Sequence, residues 1–420
     1  MNPQPEVCCI DDASKFPVVF PSTVPELGGF VCRIAAQGQA IYPIGGGTML
    51  HLGLPPTKPG VAVDLRTLNQ VIDYPARDMT VTVQAGIAIA KLQELLAAEK
   101  QRLPIDVPLA DQATLGGAIA TNMSGPRRYG FGTFRDYVIG ISVVNDEGQE
   151  VKAGGRVVKN VAGYDLCKLY IGSLGTLGII TQVTLKLKPL PEEGALLTFG
   201  CEASGIEPLL ELLYHSRTRP VCIDLLNRAA VRSLNERFGN LLAEAAWVVV
   251  VGFEDNREAV SWQVQQLAKE LPSGGPVHAD AWHGTAAETL WRALTEFVVE
   301  PEARLTFKAN VLPGRTAVFC QQAAVLSESI RLQAHAGNGI VLGHVVGDLT
   351  LDQAAAMLKG LQEAAQAGHG NVVLLRCPLE WKATLPVWGL PRNDVWLMRT
   401  IKKKLDPRGL FNPGRFVDGI

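Results

Sequence analysis

Three glycine-rich segments in the first half of the chain carry the residue types best suited to holding a ligand. Gly45-Gly46-Gly47-Thr48 follows a short strand-like run at 41–44. Three consecutive residues without Cβ atoms expose several backbone N–H groups in one concavity, and such a nest binds a diphosphate without any cationic side chain. Thr48 adds a hydroxyl donor. The run is neither the G-x-G-x-x-G dinucleotide fingerprint nor a phosphate loop ending in Gly-Lys-Ser/Thr. The second segment, 108–125, places small residues at 116–118, 120 and 124–125, with hydroxyl or amide groups at Thr114, Thr121, Asn122 and Ser124. It lets backbone approach a ligand closely; a helix packed on a neighbour through its glycines is the alternative. The third, Gly172-Ser173-Leu174-Gly175-Thr176-Leu177-Gly178-Ile179-Ile180, leads into a strand. Each alone also reads as a turn. Three in order point to one site.

The elements that must position these segments follow from periodicity. Residues 79–83 alternate as a strand with Val81 and Val83 on one face, 89–96 carry helical spacing closed by Pro104, and 115–122 form a short glycine-led helix. Runs at 138–144 and 177–187 are strand-like. In the second half, helical patterns near 207–217, 256–270, 286–299 and 351–366 alternate with strands near 221–226, 246–253, 303–309, 340–346 and 371–376. That alternation suggests a sheet with helices covering one face. The fold class is α+β. The shift from glycine-rich to Ala-, Leu- and Glu-rich sequence around 189–194 marks the domain boundary.

Composition excludes several functions. With 39 Lys plus Arg against 41 Asp plus Glu, the chain lacks the footprint of a nucleic-acid binder. The densest apolar run, 245–253, is too short to cross a bilayer, and no signal peptide is legible at the N-terminus. The eight Cys form no Cys-x-x-Cys pair, which argues against an iron–sulfur or zinc site within this chain. Scattered thiols fit a cytoplasmic protein.

The ordered set of segments resembles the PCMH-type FAD-binding domain of the vanillyl-alcohol oxidase and p-cresol methylhydroxylase flavoproteins. The resemblance implies a two-part FAD-binding domain over 13–192, an α+β cap over 193–400, and a tail, 401–420, that returns to the FAD domain. It implies cofactor contacts from Ile44, Gly45, Gly46, Gly47, Thr48 and Met49, from Pro108, Asp111, Thr114, Gly116 and Gly117, from Thr121, Asn122, Ser124 and Gly125, and from Gly175, Thr176 and Ile180. The string Gly155-Arg156-Val157-Val158-Lys159-Asn160-Val161-Ala162-Gly163-Tyr164-Asp165-Leu166 and the terminal Leu405-Asp406-Pro407-Arg408-Gly409-Leu410-Phe411-Asn412-Pro413-Gly414-Arg415-Phe416 look like the FAD-binding E-type subunit of bacterial glycolate oxidase, more than its larger D-type subunit. That likeness implies a complex with a larger flavoprotein subunit and an iron–sulfur subunit, oxidising glycolate or D-lactate to the 2-oxo acid. The complex is expected in the cytoplasm, with any membrane association made through the partners. A self-sufficient FAD-dependent 2-hydroxy-acid dehydrogenase is the alternative.

Two departures from the resemblance matter. Members that attach FAD covalently often carry His where this chain has Thr48, and His51 reads as a surface or packing residue, so the flavin is expected to be noncovalent. Related dehydrogenases carry a His-Ala-Gly-Asp-Gly-Asn-x-His-like motif in the cap. Here His335-Ala336-Gly337-Asn338-Gly339 matches in part, with Asn338 in place of the acid and the next His only at 344. A loop turning into a strand is the plain alternative, and no catalytic residue is assigned. Lys402-Lys403-Lys404 reads as a solvated helix face. Trp381, Trp388 and Trp396 fit a partner surface, a cap–flavin contact or a packed core.

Overall fold

The computed structural model describes residues 7–11, 14–155, 164–272 and 278–420, which divide into two compact units. The first unit gathers Met1–Met123, Thr133–Leu190 and Pro391–Ile420; the second gathers Ser124–Gly132 and Pro191–Leu390. The whole Arg156–Gly163 stretch, the larger part of the string Gly155–Leu166, lies outside the described residues.

Two sheets build the first unit. One runs in the order Val7–Ile10, Ser14–Val19, Gly60–Asp64, Ala40–Ile44, the last three strands parallel. Ala40–Ile44 is an almost unbroken apolar run because a parallel strand is covered on both faces. It tolerates Pro43, which has no N–H to give a ladder, because it lies at the sheet edge. The C-terminal segment covers that edge: Ile41 N–H donates to Leu410 O at 2.8 Å and Asn412 N–H to Ile41 O at 2.9 Å. The other sheet is antiparallel, in the order Val71–Asp73, Thr80–Gln84, Ile179–Lys186, Val138–Val144, Glu150–Gly154. Val81 and Val83 are buried on one of its faces, while Thr82 and Thr184, paired across the strands, share a hydroxyl hydrogen bond of 3.0 Å.

Lys402 corrects the reading of a solvated basic face. It sits in the helix Val395–Leu405 with its Nζ donating to Asp406 Oδ2 and Thr176 O at 2.7 Å and to Phe411 O at 2.9 Å, tying the C-terminal segment to the third glycine loop. Burial pulls its pKa down, opposed by the Asp406 carboxylate. Lys403 and Lys404 are exposed. A Lys402→Met chain is therefore expected to lose about 3 kcal/mol of stability, since it leaves the fully buried Asp406 side chain without its cation. Lys403→Met should cost under about 0.5 kcal/mol. Equal unfolding midpoints for the two variants would contradict this.

The second unit is built on one eight-stranded antiparallel sheet. Its strand order is His278–His283, Glu193–Cys201, Trp247–Asp255, Cys222–Asn227, Ile330–His335, Ile340–Val346, Ala303–Asn310, Asn371–Arg376. Side chains alternate between faces, so register decides what meets. Leu225, Ala334, Val341 and Ala309 lie on one face, all buried and apolar. The opposite face carries a polar row: Asp224 faces His335, and Gln333 pairs with Leu342, which pairs with Lys308. Helices Arg228–Phe238 and Gly284–Thr295 lie on this second face. Ser233 meets Arg331 there, and Trp291 fills the space beside Gly252. Of the tryptophans, Trp381 is buried under Arg304, and Trp396 is 68% exposed.

Candidate functional site

A cleft in the first unit forms where two glycine loops meet. The loop 45–48 leaves the strand Ala40–Ile44, and the helix Leu115–Thr121 starts opposite it, capped by Thr114, whose hydroxyl accepts from Gly117 N–H at 3.3 Å. A Cβ on Gly45 would stand 2.0 Å from Thr114 Oγ1, and one on Gly46 would stand 1.8 Å from Gln112 O. The two loops touch backbone to backbone only because no side chain intervenes. Gly47 alone of the three has positive φ, at +74°. Among the described residues, the N–H groups of Gly45, Gly46, Gly47 and Thr48 make no hydrogen bond to the protein. Four such donors in one turn form an anion nest.

Ile44, Gly45, Gly46, Gly47, Thr48, Met49, Pro108, Thr114, Gly117 and Thr121 all line this cleft, which holds about 860 Å³ of empty space including open solvent. A continuous lobe of about 420 Å³ is lined by Gly116, Gly175 and Ile180 as well. Gly116 also packs, since a Cβ there would come 2.9 Å from that of Ala85. Five expected residues do not line either lobe. Asp111 is exposed, Asn122 ends the short helix with φ of +50°, and Thr176 is buried with its hydroxyl donating to Ser173 O. Ser124 accepts from Arg128 in the second unit, where Gly125 also lies. Asn412 and Arg415 line the cleft without having been singled out. Arg415 donates to the carbonyls of Leu50, Leu52 and Leu54 and so holds the chain that follows the glycine loop.

The residues fit FAD. The nest supplies N–H donors for a pyrophosphate, and Ile10, Val107, Met123 and Leu174 offer apolar walls for flat rings. When bound, FAD supplies the two-electron redox chemistry, which side chains cannot provide. The lining of both lobes contains no His, Cys or Tyr, the side chains suited to covalent attachment. FAD is therefore expected to leave the chain on acid or heat denaturation, measured as free flavin in the supernatant. Flavin retained by the precipitate would contradict this.

The second unit holds a different polar cluster. His335 ends the strand Ile330–His335 and is 2% exposed. Its Nδ1 lies 2.8 Å from Asp224 Oδ1, and Gln333 Nε2 donates to Asp224 Oδ2 at 2.6 Å. His335 Nε2, Gln333 Oε1 and Asn338 Oδ1 are buried without partners among the described residues. On the same face, Lys308 has no carboxylate partner among the described residues; burial and the nearby Arg128 charge both push its pKa down. His344 is spoken for, with Nδ1 3.0 Å from Thr306 Oγ1 and Nε2 2.8 Å from Phe297 O. Burial holds it at about 4, neutral in the fold. Among the described residues no group of His, Cys, Asp or Glu is placed to hold a metal ion, none of the eight cysteines is in a disulfide, and no helix is long and apolar enough to cross a membrane.

The glycine-walled cleft beside a mixed sheet, followed by a unit built on a single large antiparallel sheet, defines a flavoprotein of the PCMH and vanillyl-alcohol oxidase class. Residues 17–154 match the FAD binding domain, and residues 195–348 and 390–416 match the C-terminal domain of FAD linked oxidases. The chain belongs to this FAD-linked oxidase family and is a FAD-dependent oxidoreductase. It is 26% identical to glycolate oxidase subunit GlcD of Bacillus subtilis, over 95% of this chain and 88% of that one. It is 27% identical to glycolate oxidase subunit GlcE of Escherichia coli, over 88% and 91%. It is 28% identical to the mitochondrial D-lactate dehydrogenase [cytochrome] of Arabidopsis thaliana, over 95% and 73%. The 4-ethylphenol oxidase of Gulosibacter chungangensis shares the fold, with a TM-score of 0.68 at 14% identity over 95% of this chain and 88% of that one.

Proposed function

We propose that this chain is the FAD-binding subunit of a glycolate oxidase-like complex. The complex oxidises glycolate or D-lactate to the 2-oxo acid together with a larger flavoprotein subunit and an iron–sulfur subunit. The relatives support the class of substrate: two are subunits of glycolate oxidase and a third is a D-lactate dehydrogenase. The observation that carries the reading lies on the polar face of the second unit's sheet, where Lys308 has no carboxylate partner among the described residues and burial and the Arg128 charge both push its pKa down. A small carboxylate bound there would favour its charged form. FAD sits noncovalently between the glycine loops of the first unit. The complex is cytoplasmic, and any membrane association is through its partners.

The subunit reading rests on His344 and Asn338. The related motif carries an acid where this chain has Asn338, and its paired His is displaced here to His344, which is bonded at both nitrogens. One observation favours the alternative of a self-sufficient 2-hydroxy-acid dehydrogenase: His335 keeps a free Nε2. Anaerobic flavin reduction by glycolate and by D-lactate, with and without the partner subunits, decides between them.

A further inference from the structure

We propose that Asp224 is a positioning residue that locks His335 in the tautomer with Nε2 bare, giving the second unit a hydrogen-bond acceptor for the hydroxyl of a small hydroxy acid. The ligand half rests on the proposed function; the clamp does not.

Strand register sets Asp224 directly opposite His335, and both side chains are almost fully buried. A carboxylate only accepts hydrogen bonds. Asp224 Oδ1 at 2.8 Å therefore requires the proton on His335 Nδ1, and in a neutral imidazole that leaves Nε2 as a lone pair. The other carboxylate oxygen takes Gln333 Nε2 at 2.6 Å, which turns Gln333 Oε1 away from Asp224. One buried carboxylate thus fixes the polarity of two neighbours. The turn after His335 is held as well: Tyr214 donates its hydroxyl to Ala336 O at 3.0 Å, and Tyr129 packs where a Cβ on Gly337 would lie.

The result is a face with two unmet needs. Among the described residues His335 Nε2, Gln333 Oε1 and Asn338 Oδ1 are acceptors without donors, and Lys308, on the same face as His335 and Gln333, is a cation with no carboxylate bonded to it. A ligand that answers both needs brings a negative charge and at least one hydrogen-bond donor. A 2-hydroxy acid brings both. The 2-oxo acid formed from it brings the charge but no donor, and a site built to bond a hydroxyl rejects the analogue lacking one. The clamp therefore favours substrate over product.

The test is nitrogen NMR of histidine-labelled full-length chain carrying FAD, with His335 assigned from its missing signals in His335→Gln. The expected wild-type spectrum has a protonated Nδ1 and a bare Nε2. Asp224→Asn can accept only one of the two hydrogen bonds, so its NH₂ group turns to Nδ1 and the proton moves to Nε2. A wild-type His335 protonated at Nε2 overturns the clamp even if the variant fails to fold, as does an unchanged tautomer in folded Asp224→Asn. With the flavin reduced by dithionite for the hydroxy acids and left oxidised for the oxo acid, so that neither turns over, glycolate or D-lactate is expected to shift the Nε2 resonance and pyruvate, which stays mostly unhydrated in water, to leave it in place. A bare Nε2 that responds to neither hydroxy acid overturns the ligand half. Flavin bleaching in the complex tests the proposed function separately from either result.

Discussion

Gly46→Val is expected to yield a folded chain with less than about one-tenth of the wild-type FAD content. The side chain would begin 1.8 Å from Gln112 O and 2.5 Å from its carbonyl carbon, contacts that only a backbone shift can relieve. That shift separates the two loops that make the cleft, and with them the nest of four free N–H groups. Gly46→Ala places the same Cβ and should lose most of the flavin too. Gly47→Ala is the informative control. Its Cβ would meet only the end of Leu50 at 3.7 Å, and the cost is confined to the positive φ, on the order of 1 kcal/mol. Gly47→Ala should keep its FAD. Flavin content, read from absorbance after gel filtration, decides the matter. A Gly46→Val chain with full flavin would mean that the contact between the loops does not shape the site.

This contrast marks how far the site was legible in the sequence. The glycine segments stand out because backbone contact excludes every other residue type, and such runs survive as composition. Their reason was not legible: a concavity for a diphosphate was the expectation for the run, whereas the neighbour of Gly46 is Gln112 O, 66 residues further on, and only Gly47 of the three has positive φ. Arg415 and Asn412 could not be ranked as cleft residues, because their partners at 50–54 and at Leu174 lie hundreds of residues earlier. In the second unit, five strands showed as apolar runs. The strand Ile330–His335 did not, since Arg331, Gln333 and His335 alternate with Leu332 and Ala334 as an exposed strand would. Here the polar face is buried, and the cause is Asp224, brought opposite His335 by a register that joins residues 111 apart in sequence. The helix Val24–Ala36 was hidden by Gly28 and Gly29, although Thr23 caps it and Leu27, Val31 and Ile34 face inward.

The chain alone is expected to be reduced by 2-hydroxy acids at least a hundredfold more slowly than in the complex, a difference of about 3 kcal/mol in barrier. Oxidising the substrate requires both a group to take the hydroxyl proton and a route for the electrons onward. On the buried polar face of the second unit, His335 keeps an Nε2 without a partner among the described residues, while His344 is committed to Thr306 and Phe297 and burial keeps it neutral. Asn338 brings no charge where related dehydrogenases carry an acid. Downstream, none of the eight cysteines is in a disulfide and they include no Cys-x-x-Cys pair, so an external acceptor must reoxidise the flavin. Mixing the isolated protein anaerobically with glycolate and then with D-lactate should leave the oxidised flavin band largely intact over minutes. Adding the larger flavoprotein subunit and the iron–sulfur subunit should bring steady turnover with an artificial electron acceptor. Rapid and complete bleaching of the isolated chain by either acid would make it a dehydrogenase in its own right, with His335 sufficient as its proton acceptor and the partners dispensable for substrate oxidation.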